Sequence, residues 1–330
     1  MPTDPAAEAA EPSIARFGLG TAAVGRPGYI TLGRDLDLPA ERTVEALRER
    51  THALLDAAFA AGVRYFDTAR SYGRAEEFLG AWLAARPQEA REVTVGSKWG
   101  YTYTADWRTS GVPAHEVKEH STAVFDRQVA ETRALLGGPP DLYLVHSVTP
   151  DSPALTDPAL HARLASLAAE GVRVGLSTSG PGQAAAVRAA LEVTVDGRPL
   201  FAAVQSTWNL LEPSAGPALA EAYEAGWLVV VKEGMANGRL ADRNATGPDT
   251  AALRALATRV GASCDALALA AVAAQPWADL VLSGAATTGQ LASNLEAVGL
   301  APGADDLDGL AELAQPAEEY WHTRSALPWA

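Results

Sequence analysis

Short apolar runs alternate with amphipathic stretches along almost the whole chain. The runs are nearly continuous and predict strands, at residues 17–24, 63–67, 92–98, 142–146, 172–177, 201–206, 227–232 and 280–284. The stretches between them carry apolar residues at helical spacing and predict helices, at 44–61, 75–85, 117–136, 158–169, 182–191, 216–225, 250–260, 266–274 and 289–298. The pattern therefore consists of eight strand–helix units.

The strands read as apolar runs rather than as an alternation of apolar and polar residues. Such runs are typical of parallel strands that helices cover on both faces. Eight units favour a closed (β/α)8 TIM barrel, an α/β fold, over an open doubly wound sheet. We expect one barrel domain over residues 12–300, a disordered N-terminal segment over 1–11, and a tail over 301–330 that packs on the barrel.

Composition and charge limit the class of protein. The 330 residues carry a net charge of −14, which argues against binding to nucleic acid. No run of about 18 apolar residues is present, so we expect no membrane span, and residues 1–11 lack the features of a signal peptide. Cys264 is the single cysteine, so no internal disulfide forms, and a reducing, cytoplasmic location is expected.

Four side chains with useful chemistry follow three of the predicted strands. Asp67 ends one strand, and Tyr72 follows it in the string Phe66-Asp67-Thr68-Ala69-Arg70-Ser71-Tyr72-Gly73. Lys98 ends the next strand, and His146 ends a third. Each alone has an ordinary structural explanation, such as a turn residue or a solvated lysine. Because the carboxyl ends of barrel strands meet at one rim, we expect the four to lie together.

These residue types suit the reduction of a carbonyl group. A Lys98 ammonium beside Tyr72 is expected to lower the pKa of the phenol toward neutrality, and Asp67 to pair with Lys98. His146 can donate a hydrogen bond to the carbonyl oxygen. Tyrosine supplies a proton and not a hydride, so the site requires a hydride-donating cofactor. The chain has no Gly-x-Gly-x-x-Gly fingerprint, so we do not expect that cofactor on a Rossmann unit.

The same strings resemble the signatures of the aldo-keto reductase family, over roughly residues 17–297. The matching strings are Phe66-Asp67-Thr68-Ala69-x-x-Tyr72-Gly73, Ser97-Lys98 and Leu144-Val145-His146. The resemblance implies a (β/α)8 barrel that binds NADPH, or less often NADH, in extended form across the strand ends. It also implies that Tyr72 is the general acid, that Lys98 and Asp67 tune it, and that His146 orients the substrate carbonyl.

The resemblance further implies a cofactor site, with departures from the family pattern. Thr178 stands where an asparagine is usual, and Lys232 replaces an aromatic ring that stacks on the nicotinamide. No Lys or Arg lies between Ser283 and Asn294 to pair with the 2′-phosphate of NADPH, so we predict relaxed choice between NADPH and NADH. The implied cofactor-binding residues are Gly20, Thr21, Asp67, Ser177, Thr178, Gln205, Lys232, Glu233, Gly234, Met235, Asn237, Ser283, Gly284, Thr288, Gln290 and Asn294.

The substrate side of the site is predicted from aromatic residues, since flat rings pack on apolar or sugar-like molecules. Residues 25–39 and 100–113 are longer than ordinary connections and are candidate lids over the mouth. The aromatic side chains of residues 320–329 either pack on the barrel or help to shape this pocket. The candidate substrate-pocket residues are Trp99, Tyr101 and Trp107.

The leading interpretation is an NAD(P)H-dependent aldo-keto reductase that reduces a small aldehyde or ketone to an alcohol, or catalyses the reverse. One alternative is a cofactor-binding regulatory or scaffold subunit with little turnover, which Thr178 and Lys232 keep open. Another is a lyase or isomerase that uses Lys98 as a Schiff-base nucleophile. The other histidines lack ligand spacing, so no metal is expected. The sequence predicts no particular oligomeric state.

Overall fold

A computed structural model describes residues 13–38 and 42–329, so the expected disorder of residues 1–11 falls outside the described residues. Twelve strands are present in this part of the chain. In chain order they are β1 (Phe17–Gly20), β2 (Tyr65–Asp67), β3 (Thr94–Trp99), β4 (Tyr101–Tyr103), β5 (Glu116–Lys118), β6 (Leu142–Val148), β7 (Arg173–Thr178), β8 (Thr194–Val195), β9 (Arg198–Pro199), β10 (Ala203–Thr207), β11 (Leu228–Lys232) and β12 (Leu280–Ser283).

Helices connect most of these strands, and three more follow the last strand. They are α1 (Arg34–Asp37), α2 (Val44–Ala60), α3 (Ala75–Ala85), α4 (Thr122–Leu136), α5 (Pro158–Ala169), α6 (Gln183–Leu191), α7 (Gly216–Glu224), α8 (Ala251–Val260), α9 (Cys264–Ala273), α10 (Thr288–Leu295), α11 (Ala304–Ala311) and α12 (Ala317–Ser325).

Eight of the strands pair in parallel and close into a barrel, which confirms the predicted (β/α)8 TIM barrel. Their order around the ring is β1-β12-β11-β10-β7-β6-β3-β2. The register aligns Gly20 of β1 with Asp67 of β2, and Asp67 with Gly96 of β3, so the carboxyl ends of these strands share one rim. The remaining four strands form two small antiparallel hairpins outside the barrel.

The core lies in two layers that the strands separate. Inside the barrel, Tyr65, Leu144, Val230 and Leu282 pack together with their neighbours. Outside it, the helices bury the face that carries their apolar residues; α3, for example, buries Phe78, Leu79 and Trp82. The strands are therefore covered on both faces, which is why they read as continuous apolar runs.

Two predicted boundaries are wrong by four residues or more. The first strand ends at Gly20 rather than at residue 24, because the chain then turns, with the amides of Val24 and Gly25 both donating to the carbonyl of Thr21. The fourth helix begins at Thr122 rather than at residue 117, since the Ser121 side chain caps it and residues 116–118 form β5 instead.

The two candidate lids have structure of their own. Residues 101–118 contain the hairpin of β4 and β5, whose register aligns Tyr101 with Lys118. The segment before residue 39 contains α1 and makes an isolated bridge between Ile30 and Trp329. Both segments contribute side chains to the cavity at the carboxyl rim of the barrel.

The described residues contain no single helix that is long and apolar enough to cross a bilayer. Residues 248–260 and 264–273 reach that length and composition only as a pair, and the two helices meet at a bend of 96°.

Candidate active site

A buried ion pair lies at the carboxyl ends of β2 and β3. The Lys98 ammonium donates to Asp67 Oδ2 at 2.5 Å and to the carbonyl oxygen of Thr68 at 2.9 Å. The Lys98 side chain is fully buried and that of Asp67 is 3% exposed. Gln205 Nε2 from β10 donates to the other carboxylate oxygen of Asp67 at 2.8 Å. The lysine is therefore fixed in place, and its charge is compensated.

Tyr72 reaches this pair from a tight turn after β2. Its amide donates to the carbonyl of Ala69, and the following Gly73 has φ of 64°. A Cβ at Gly73 would lie 2.5 Å from the carbonyl oxygen of Gly25, so this position requires glycine. Lys98 Nζ lies 4.8 Å from the centre of the Tyr72 ring. The turn thus directs the phenol toward the ion pair.

His146 completes the group. Its ring packs edge-on against that of Tyr72, with 5.6 Å between the ring centres, and Tyr101 packs against it at 5.1 Å. The structure therefore brings the four predicted catalytic side chains, Asp67, Tyr72, Lys98 and His146, together in one place. Tyr101, a predicted pocket residue, belongs to the same cavity.

The pKa of Tyr72 departs from the sequence-based expectation. Burial raises the pKa of the phenol well above its usual value, and the Asp67 carboxylate raises it further. The guanidinium of Arg26 acts in the opposite direction but is outweighed. The expectation included the pairing of Asp67 with Lys98, but it left out the burial of the phenol and the direct effect of the Asp67 carboxylate on it. The phenol is consequently a neutral proton donor.

His146 is neutral for a similar reason. Burial lowers the pKa of its imidazole well below the usual value, and the nearby charges of Lys98, Lys232 and Arg26 lower it further. His120 Nε2 lies 2.8 Å from the backbone carbonyl oxygen of His146 and anchors this part of the strand. A neutral imidazole carries one N–H, which suits it to donate a single hydrogen bond.

A cavity opens above these residues at the carboxyl rim. The catalytic candidates Asp67, Tyr72 and His146 contribute to its lining, whereas Lys98 lies beneath it. Several predicted cofactor residues also line it: Gly20, Gln205, Lys232, Glu233, Gly234, Met235, Asn237, Ser283 and Gly284.

Two predicted substrate-pocket residues lie elsewhere. The Trp99 indole is fully buried beside α4, where it packs on Phe125 with 5.1 Å between ring centres. Trp107 donates its indole N–H to the backbone of Arg42 and packs on Phe78. The prediction that Trp99 and Trp107 line the pocket is therefore corrected. Successive side chains of a strand face opposite ways, so a residue next to the inward-pointing Lys98 faces the helices.

Three predicted cofactor residues bond to the protein itself and do not line the cavity. Thr21 Oγ1 donates to the carbonyl of Asp67 at 2.9 Å, and Ser177 Oγ accepts from the amide of Ser147 at 2.8 Å. The hydroxyl of Thr178 forms a hydrogen bond with that of Ser206. All three residues are fully buried and absent from the cavity lining.

The last predicted cofactor residues lie around a second cavity beside the first. Gln290 and Asn294 line it, while Thr288 lines neither cavity. Asn294 Nδ2 donates to Ser283 Oγ at 2.8 Å, and Gln290 Oε1 accepts from the amide of Ala286. The two cavities lie side by side, because they share lining residues, and together we term them the trough; the shared residues are Ala23, Thr31, Met235, Gly238 and Gly284.

Sequence reasoning marked residues 25–39 and 320–329 as segments near the mouth, but it missed the individual side chains of these and other loops that line the cavity. Arg26 lies over the Tyr72 ring, 5.5 Å from its centre, and pairs with Glu116 at 2.8 Å. Trp329 lies 4.8 Å from the Arg26 guanidinium. No motif marks these positions, because only the folded chain brings them to the rim. The other missed residues include Tyr29, Ser147, Ser179 and Arg324.

A second charged group lies across the cavity, at the end of β11. Both oxygens of the Glu233 carboxylate accept from Arg324 of α12, and the Glu233 backbone has a φ of 57°, which is uncommon for a residue with a Cβ. Burial acts to raise the pKa of Glu233, but the charges of Arg324 and Lys232 outweigh it and lower the pKa to about 2. Lys232 donates to Thr207 Oγ1 at 2.7 Å.

The described residues contain no group of three or more His, Cys, Asp or Glu side chains placed to hold a metal ion.

One buried atom in the cavity wall indicates what the trough holds. Gln205 Oε1 is buried and has no hydrogen-bond partner in the described part of the chain, although Gln205 Nε2 is bound to Asp67. A ligand amide N–H is the natural partner for such an oxygen. The nicotinamide of a dinucleotide carries an amide of this kind, and the two adjoining cavities of the trough suit an extended molecule. The residues present therefore fit a nicotinamide cofactor.

Comparison with protein families and solved structures gives one consistent answer. The family model described as the Aldo/keto reductase family matches residues 18–314. An aldo-keto reductase from Bacillus halodurans, solved in its holo form, is 22% identical, with 93% of this chain and 95% of that chain covered and a TM-score of 0.69. No curated protein matches the sequence.

Two further solved structures are similar. A protein from Pseudomonas aeruginosa described as an aldo-keto reductase is 23% identical over 90% of each chain, with a TM-score of 0.59. Another, described as a 2,5-diketo-D-gluconic acid reductase B, is 21% identical over 92% of this chain and 89% of that chain, with a TM-score of 0.63. At these identities the structures establish a shared fold.

Proposed function

The chain belongs to the aldo/keto reductase family, and from this premise we propose that it is an NAD(P)H-dependent oxidoreductase that reduces an aldehyde or ketone to an alcohol, or catalyses the reverse. The observation that carries the proposal is the meeting of a carboxylate, an ammonium, a phenol and an imidazole at the carboxyl rim of the barrel, from Asp67, Lys98, Tyr72 and His146. The family acts on small carbonyl compounds, and we propose that the substrate of this protein belongs to that class.

In the proposed mechanism Tyr72 is the general acid. Its raised pKa keeps the phenol protonated until the carbonyl oxygen gains negative charge, and the proton then passes from Tyr72 Oη to that oxygen. The Lys98 ammonium, 4.8 Å from the ring centre, stabilises the phenolate that remains, and Asp67 holds the ammonium in position. His146 donates its N–H to the carbonyl oxygen. When bound, a reduced nicotinamide supplies the hydride.

The ion pair disfavours the interpretation of Lys98 as a Schiff-base nucleophile. A nucleophilic amine must be neutral, whereas the Lys98 ammonium donates to both Asp67 and the backbone of Thr68. Its full burial also leaves no room for a carbonyl compound at Nζ. We therefore assign Lys98 to tuning and positioning of the phenol.

We propose that the cofactor lies along the trough, with Gln205 accepting from its amide and with residues 233–237 beside its phosphates. The adenosine end would then occupy the second cavity, near Gln290 and Asn294. Arg243 lines that cavity and pairs with both oxygens of Asp37, at 2.6 and 2.7 Å. A 2′-phosphate on the cofactor has to compete with Asp37 for this guanidinium.

We therefore expect NADPH and NADH to be used with comparable efficiency. A free guanidinium would favour NADPH, since a charge-assisted hydrogen bond to the 2′-phosphate contributes about 1.5–3 kcal/mol to binding. A guanidinium that Asp37 already engages contributes less. Steady-state assays with each cofactor give the ratio of kcat/KM. A preference for NADPH above about a hundredfold, or about 2.8 kcal/mol, contradicts this assignment of the second cavity.

The central test is Tyr72→Phe, assayed with a simple aromatic aldehyde such as a nitrobenzaldehyde by the loss of reduced-nicotinamide absorbance. Turnover should fall at least about a hundredfold, because general acid catalysis contributes on that order or more. Cofactor affinity, measured by fluorescence, should change little. The matched control is Tyr223→Phe, which alters a half-exposed tyrosine on α7, outside the cavity.

Three outcomes separate the interpretations. Loss of turnover in Tyr72→Phe with intact cofactor binding supports the proposed acid. Full turnover in Tyr72→Phe rules that acid out. A native protein that binds nicotinamide cofactors yet reduces no member of a broad panel of carbonyl compounds supports the alternative of a cofactor-binding regulatory subunit.

A further inference from the structure

The catalytic candidates occupy one side of the barrel mouth, and this determines where a hydride donor must lie. Asp67, Lys98 and His146 belong to β2, β3 and β6, which are neighbours in the ring. The strands across the mouth are β10, β11 and β12, which contribute Gln205, Lys232 and Ser283 to the cavity. If the proposed function holds, the nicotinamide lies between the two sides, and Lys232 is on its side of the mouth.

Three of the four cations in and beneath this cavity have a carboxylate of their own. The pairs are Lys98 with Asp67, Arg26 with Glu116, and Arg324 with Glu233. Two of these pairs are held at 2.5 and 2.8 Å, and the third is bidentate. Each therefore adds little net charge to the cavity.

Lys232 is the exception among the described residues of the cavity. Its ammonium donates to the Thr207 hydroxyl and lies 3.9 Å from Glu233, whose two oxygens are already held by Arg324. Its side chain is 15% exposed and lines the cavity. With His146 neutral, the cavity carries one uncompensated positive charge, at the end of β11.

A nicotinamide ring differs in charge between its two redox states. The reduced ring is neutral, and loss of a hydride leaves a ring with one positive charge. An ammonium beside it repels the oxidised ring but tolerates the electron-rich reduced one. We infer that Lys232 makes the pocket discriminate between the redox states of its cofactor, so that the reduced form binds more tightly than the oxidised form.

The discrimination depends on protonation of Lys232. Burial lowers the pKa of the ammonium to about 8, with Glu233 opposing this effect and with the charges of Arg324 and Lys98 adding to it. The ammonium is therefore mostly charged at pH 7 and mostly neutral at pH 9. The charged and titratable groups that face it are Glu233, Arg324, Lys98, Asp67 and His146, with the Trp321 ring 6.0 Å away.

The test is the ratio of the dissociation constants for oxidised and reduced cofactor, Kd(NADP+) over Kd(NADPH), measured by tryptophan fluorescence without substrate. In Lys232→Met, which keeps an unbranched side chain but removes the ammonium, the ratio should fall at least about tenfold, because a unit charge several ångströms away at protein-surface dielectric contributes that much or more. Lys232→Arg keeps the charge and should keep the ratio. Lys118→Met removes an exposed lysine from β5 and should leave it unchanged.

A pH series adds an independent readout. The native ratio should fall as the pH rises from 7 to 9, because deprotonation removes the repulsion, while that of Lys232→Met should stay flat over the same range. An unchanged ratio in Lys232→Met, with both forms of the cofactor still bound, overturns the inference and leaves the proposed function intact.

Two other results are distinguishable from that one. If Lys232→Met instead raises KM only for substrates that carry a carboxylate, with the ratio unchanged, the lysine recognises substrate and the inference fails. If neither form of the cofactor binds the native protein, the proposed function fails first.

Discussion

Replacement of Lys98 by methionine tests the buried ion pair beneath the catalytic phenol. In the native chain Lys98 Nζ lies 2.5 Å from Asp67 Oδ2, and both side chains are almost fully removed from solvent. In Lys98→Met the Asp67 carboxylate keeps its hydrogen bond from Gln205 but loses its cation. Removal of one partner of a buried pair costs about 3–5 kcal/mol. We expect the free energy of unfolding to fall by this amount.

The double variant Asp67→Asn/Lys98→Met separates an uncompensated charge from lost packing. With both charges gone, this pair leaves no uncompensated ion behind, so the double variant should be more stable than the sum of the two single changes predicts by about 2 kcal/mol or more. Urea unfolding followed by tryptophan fluorescence gives all four values. Lys118→Met is the control, and removal of this exposed ammonium should change stability by no more than about 0.5 kcal/mol. Strict additivity of the two single changes would refute the reasoning.

Three further outcomes follow from individual contacts. Burial lowers the pKa of His120 to about 4 from 6.5, so the folded state binds fewer protons than the unfolded state between these two pH values. The free energy of unfolding should therefore fall by roughly 3 kcal/mol as the pH is lowered from 6.5 to about 4. His120→Gln should flatten this pH dependence, as measured by urea midpoints at several pH values. Trp329 stacks on His115 with 4.6 Å between ring centres and lines the cavity; Trp329→Ala should raise KM for an aromatic aldehyde several-fold and leave the cofactor Kd unchanged. Burial raises the pKa of the Cys264 thiol to about 12; it should react with a disulfide reagent only after unfolding, and rapid reaction of the native protein would contradict its burial.

The strands could be predicted from sequence because burial on both faces leaves a local signal. In the run before Asp67, Val63, Tyr65 and Phe66 are buried, because this strand has the barrel interior on one side and helices on the other. Once eight such runs are placed, the rim positions of Asp67 and Lys98 follow from parallel pairing alone. The meeting of the four catalytic candidates could thus be anticipated without coordinates.

Other features depend on contacts between distant parts of the chain. Val117 fits a helical pattern, yet it pairs with Thr102 in the hairpin, and only tertiary contacts select that outcome. Arg26 and Arg324 reach the cavity from a loop and from the last helix, and neither has a sequence signal. The position of Trp99 was available from sequence, because the period of a strand sends it away from the side that Lys98 faces.

The pKa of Tyr72 shows a different limit of local reasoning. A nearby ammonium lowers the pKa of a phenol, but the size of the effect depends on what else surrounds it. Here the carboxylate of Asp67 compensates the ammonium, and burial penalises the phenolate. The sequence indicates which groups lie near the phenol. It does not indicate which of their opposing effects on the pKa of the phenol is larger.

The closure of the barrel has a consequence for synthesis of the chain. The first strand, β1, bonds to β2 on one side and to β12 on the other. Residues 17–20 can therefore complete their backbone pairing only after residues 280–283 have been synthesised. A nascent chain that ends before residue 283 therefore exposes unpaired backbone along β1, and such an edge promotes aggregation with other chains. A chain released before that point should depend on chaperones, whereas a chain released within the last helix, ahead of Arg324, should form a closed ring that still lacks the arginine for Glu233.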